Sequence, residues 1–77
     1  MSQIIRKINE FFKFSLKSEI DMVKSKVILT DRQEKIFTMF YLEKRPIDFI
    51  ADSLFVSIMT VNNELKTIRR KLIKVLL

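Results

Sequence analysis

The chain contains no glycine, cysteine, histidine or tryptophan, and a single proline, Pro46. Each absence excludes something. A small sheet protein needs several tight turns, and the residues that usually make them are missing here, so helices with short polar connections are expected. Without cysteine and histidine there are no disulfides, no thiol chemistry and none of the usual zinc ligands, and the commonest general base is gone. The missing cysteines are compatible with a reducing cytoplasm. No apolar run approaches the ~18 residues of a membrane span. Arg6 and Lys7 are followed by Asn9 and Glu10, where a signal peptide would carry its apolar stretch. No paired carboxylates, phosphate-cradling glycine loop or nucleophile beside a base occurs, so neither an enzyme, a cofactor nor a metal site is expected.

What is present suffices for one domain with a modest core. The net charge of +6 is unevenly placed. Residues 1–28 carry six basic and three acidic groups, residues 29–57 four and five, and residues 58–77 five basic groups against one acid, Glu64. A basic last helix suits a polyanionic partner, and it equally suits a solvated lysine-rich face.

Apolar spacing sets out the elements. Ile4, Ile8, Phe11, Phe12 and Leu16, widened by Ile5, recur with a helical period over about residues 2–23. A break near Ser18 would leave a short second piece holding Ile20 and Val23, with Lys24-Ser25-Lys26 as linker. A helix then starts sharply at Thr30, an N-cap with Gln33 three residues on as a capping box and Asp31 in the first turn. Its stripe is Ile36, Phe37, Phe40 and Tyr41, the tyrosine hydroxyl expected at the core's edge, and it should run to about Leu42. After Pro46, a short helix covers about Ile47 to Leu54, with Ile47, Ile50, Ala51 and Leu54 on its inner face. Ser57 caps the last helix, about Ile58 to Leu76, whose inner face is Val61, Leu65, Ile68, Leu72 and Val75 or Leu76.

A short helix, a turn of a few residues and a capped, longer basic helix are the parts of a helix-turn-helix. Ala51 is small where the two helices approach, and Leu54 and Val61 fill the angle between them. The expected fold is therefore all-α: a three-helix helix-turn-helix core in residues 29–77, preceded by an N-terminal amphipathic helix and linker in residues 1–28, the whole forming one domain. Asn62, Asn63 and Lys66 project from the first turns of the last helix, where a major-groove helix meets base edges; Asn suits adenine and Lys suits guanine. Ser57, Thr60, Arg69, Arg70 and Lys74 are placed for the DNA backbone, with Lys71 also basic there.

Residues 29–72 resemble region 4 of bacterial sigma factors and the related LuxR-type DNA-binding domains. The resemblance is carried by Leu29-Thr30-Asp31-Arg32-Gln33, then Ile36, Phe37, Phe40 and Tyr41, then Ile50-Ala51 with Leu54. It continues through Ser57-Ile58-Met59-Thr60-Val61 and closes with Leu65, Ile68, Arg69, Lys71 and Leu72. The distance from Leu29 to Ile50 suits the sigma-like branch better. This resemblance implies a three-helix core that places residues 58–66 in the major groove of double-stranded DNA, a cytoplasmic transcription protein of bacterial or phage origin, and RNA polymerase as a further partner. With no room in 77 residues for a promoter-melting domain, the expectation is a regulator, a sigma-like fragment or an accessory transcription protein. Four positions depart from the pattern. Lys44 and Phe55 stand where glycine is common, Pro46 where a capping Ser or Thr is usual, and Phe49 where a surface acid is usual. Phe49 and Phe55 add aromatic surface that either the N-terminal helix or a partner would cover.

Other readings stand beside these. Arg32 either touches DNA or polymerase, or pairs with Glu34 or Glu43. The Phe11, Phe12 and Phe14 cluster is either core or a partner surface, and a basic amphipathic helix also suits a membrane face. The apolar end, Ile73, Val75, Leu76 and Leu77, suits self-association, and a homodimer would set two recognition helices on half-sites about one DNA turn apart. The alternative of a different class is a protein-interaction module that binds polymerase, a sigma or anti-sigma partner, or itself, without reading DNA.

Overall fold

Helix-favouring residues with capping hydroxyls at the right offsets give an all-helical chain. The computed structural model describes residues 2–76, with all of their side chains except those of Ser2, Ile4 and Phe14. Five helices are found among the described residues, and no strand: α1 (Ser2–Phe14), α2 (Lys17–Lys26), α3 (Asp31–Phe37, continued by a wider π-helical turn, Thr38–Leu42), α4 (Ile47–Leu54) and α5 (Ile58–Leu76). The chain forms two compact units, one spanning Leu29–Ile68 and the other made from the segments before and after it. The first part of α5 belongs to one unit and its last turns to the other.

In the unit built from the two ends, α1 buries Ile8 and Phe12, while Ile5 and Phe11 are half-buried. Phe11 and Phe12 meet edge to face with centroids 5.2 Å apart, the arrangement the ring quadrupoles favour. The Phe11 carbonyl accepts the Ser15 amide at 2.9 Å, and Leu16 then turns extended (φ −70°, ψ 156°). The break thus precedes Ser18, where it was expected. Its cause is Glu19, whose carboxylate accepts the Leu16 amide at 2.8 Å and so opens a new helix. Leu16, expected on the buried stripe, is 70% exposed as a result. The supposed linker Lys24-Ser25-Lys26 is the last turn of α2. Ser25 Oγ donates back to the Met22 carbonyl at 2.6 Å, and both lysines sit at the negative end of the helix dipole. Ile20, Val27 and Leu72 are buried; Val23, Ile73, Val75 and Leu76 are half-buried. Lys71 Nζ donates to the Ile28 carbonyl at 2.7 Å. The side chains of Ile4 and Phe14, and Leu77, lie outside the described residues.

In the unit spanning Leu29–Ile68, the capping box forms as the sequence indicates. Thr30 Oγ1 accepts the Gln33 amide, and Gln33 Oε1 accepts the Thr30 amide, both at 3.1 Å. Ile36, Phe37, Ile50, Ala51, Val61, Leu65 and Ile68 are buried, and Leu29, Phe40 and Leu54 are half-buried. Tyr41 is 3% exposed and lies 5.4 Å from Phe37 and 5.0 Å from Phe40, centroid to centroid. Its hydroxyl is enclosed, not at the edge as expected. Tyr41 lies within the π turn, which the Glu43 amide closes by donating to the Thr38 carbonyl at 2.9 Å.

Two connections need a left-handed backbone, and no glycine supplies it. Lys44 takes φ 58°, which lets the Arg45 amide reach the Met39 carbonyl at 2.9 Å. Phe55 takes φ 57° and ψ 42° just past α4; its amide donates to the Asp52 carbonyl (3.3 Å) and the Val56 amide to the Ala51 carbonyl (3.0 Å). This is the bond pattern of a Schellman ending. A residue with a Cβ loses about 1–2 kcal/mol in this region, and a glycine there costs about 0.5–1 kcal/mol in unfolded-state freedom. Phe55→Gly and Lys44→Gly are therefore each expected to raise stability by about 0.5–1 kcal/mol in urea titrations. Ser53→Gly, inside α4, should lower it by a similar amount.

Candidate functional site

The start of α5 is set by Ser57. Its Oγ accepts the Thr60 amide at 3.0 Å and lies 3.0 Å from the Thr60 hydroxyl, while its carbonyl accepts the Val61 amide at 3.2 Å. Val61, Leu65 and Ile68 are all within 1% of complete burial, which fixes the inner face of the helix. Residues 62, 63 and 66 fall on the other side by the 3.6-residue period, and Asn62, Asn63 and Lys66 are exposed. Ser57 is exposed at the cap and Thr60 is half-buried. These five lie in the Leu29–Ile68 unit. Arg69 is half-buried, and Arg70 and Lys74 are exposed, on the part of α5 that belongs to the other unit.

Glu64, the sole acid of α5, does not join the exposed set. Its carboxylate accepts from Arg32 Nε at 2.9 Å and from Gln33 Nε2 at 3.2 Å, and its side chain is only 17% exposed. The pairing expected for Arg32, with Glu34 or Glu43, is thereby corrected. Residues two apart on a helix do not face each other, and Glu43 instead meets Arg45 at 3.7 Å. With Arg32 half exposed, this ion pair adds little by itself. Its effect is on charge placement: the negative group of α5 is drawn toward the start of α3, and the face of Asn62, Asn63 and Lys66 has a cation and two amides but no carboxylate.

Three exposed apolar side chains were not among the expected site residues. Ile58 is 52% exposed, Met59 71% and Phe55 95%. Counting back from the buried face would have found Met59, which shares a row with Asn63 and Lys66 at spacings of four and three. Phe49 is 42% exposed, with the Arg45 guanidinium 4.8 Å from its ring centroid. Phe49 and Phe55 thus leave aromatic surface exposed beside the turn.

No protein-family model matches this sequence, and neither a curated protein nor a solved structure matches it. Among the described residues, no helix is long and apolar enough to cross a membrane.

Proposed function

We propose that the chain is a sequence-specific DNA-binding transcription protein, a regulator or a sigma-region-4-like accessory factor. In this reading α4, the turn at residues 55–57 and α5 act as a helix-turn-helix, and the first turns of α5 enter the major groove. One observation carries it: the exposed face after the Ser57 cap holds Asn62, Asn63 and Lys66, while Glu64 is held away from it by Arg32 and Gln33. Such a face offers hydrogen-bonding groups to base edges without repelling phosphates. Asn62, Asn63 and Lys66 read bases; Ser57, Thr60, Arg69, Arg70 and Lys74 hold the backbone. The motif resemblance of residues 29–72 supports the same reading.

The test is an electrophoretic shift on random-sequence duplex across a salt series. Arg69, Arg70 and Lys74 alone imply a log–log salt slope of about −3. Absence of binding at low salt would overturn the reading.

A second reading draws on Phe55 and Phe49, whose exposure leaves aromatic surface beside the turn. Here the chain is a protein-interaction module for polymerase, a sigma or anti-sigma factor, or a second copy. A largely apolar interface would hold as salt rises, which separates the two.

A further inference from the structure

The first turn of α5 carries two apolar side chains that the core does not use. Ile58 and Met59 are 52% and 71% exposed, while Val61, two residues on, is fully buried. Helical spacing puts Ile58 in line with Asn62, and Met59 in line with Asn63 and Lys66. The exposed face is thus apolar at its tip, then amide-bearing, then cationic.

The chemistry of this face selects its occupant. A stable protein interface needs roughly 800 Å² from each partner around an apolar centre. On this face of α5, two side chains backed by two amides and a lysine do not make such a centre; the exposed Phe55 lies before the helix, in the turn. The major groove of DNA presents one apolar group, the 5-methyl of thymine. Asn side chains pair with adenine, the partner base of thymine. Apolar tip and amides therefore match two features of the same A·T pair, and the absence of a carboxylate on this face fits the phosphates alongside.

We propose that Ile58 and Met59 are specificity-determining residues that read thymine 5-methyl groups, so that preferred sites hold A·T pairs where the first turn of α5 meets the groove. The inference rests on the DNA-binding reading above.

The test removes only the methyls. A duplex selected by the full chain from a random pool at low salt is compared with the same duplex carrying dU at every dT. Burying one methyl-sized apolar group is worth about a fourfold change in affinity, so the wild type should bind about fourfold more weakly for each methyl it touches. The double variant I58A/M59A should bind the dT and dU duplexes equally well. Both side chains are exposed, and an unchanged helical circular dichroism signal checks that the variant is folded. Equal binding of the two duplexes by the wild type overturns the proposal while leaving DNA binding intact. So does a double variant that keeps the preference for dT. Failure to bind any duplex at low salt overturns the DNA-binding reading, and this inference with it.

Discussion

Leu65→Ala is expected to destabilise the chain by about 2–5 kcal/mol, measured as a shift in the urea midpoint with the slope held constant. Leu65 is 1% exposed and lies on the inner face of α5 between Val61 and Ile68, which are fully buried. Truncation removes apolar atoms already out of water and leaves a void that the neighbours fill only in part. Small domains have total stabilities of roughly 5–15 kcal/mol, so this one change threatens the folded state. Lys66→Ala, one residue on and exposed, should stay within about 0.5 kcal/mol of wild type. A Leu65 variant as stable as wild type would show that the inner face is misassigned.

Asn63→Ala and Lys66→Ala are each expected to relax sequence preference by about 1–3 kcal/mol for every base the variant no longer reads. Arg70→Ala should behave differently, weakening all duplexes alike and flattening the salt slope by about one unit. The difference follows from what each group would meet in the proposed complex with DNA. A bidentate bond to a base edge forms only on the right base, whereas a phosphate is present on every sequence. Binding of the three variants to a selected and a scrambled duplex, across a salt series, separates the classes. If Asn63→Ala weakened both duplexes equally, its assignment to base reading would be wrong.

The local features of this fold were legible in the sequence. The Thr30–Gln33 box, the start of α4 after Pro46, the Ser57 cap and the inner face Val61, Leu65, Ile68 and Leu72 all stand where short-range chemistry puts them. The differences come from competition between local signals or from distance along the chain. At Leu16 the apolar period favoured one continuous helix, but Glu19 offered the backbone a fresh start. Lys24, Ser25 and Lys26 look like a linker by polarity, yet they suit the last turn of a helix. The partner of Arg32 lies 32 residues away, where no spacing rule reaches it. Of the candidate site, the polar members followed from periodicity. Met59 would have followed in the same way; the exposure of Ile58 did not, because an apolar residue beside a core stripe reads as core until its neighbours are placed.

Gln33 is bound in two directions at once. Its Oε1 faces the Thr30 amide and its Nε2 faces Glu64, so the amide has one orientation that satisfies both. Helix-capping rules alone would accept glutamate at this position equally well. Here glutamate would keep the cap but lose the bond from Nε2 and set a second carboxylate against Glu64. Positions 33 and 64 are therefore not free to drift separately: an acid can enter at 33 without penalty only if 64 gives up its own. The two positions are thus coupled in the folded chain, although 31 residues of sequence separate them.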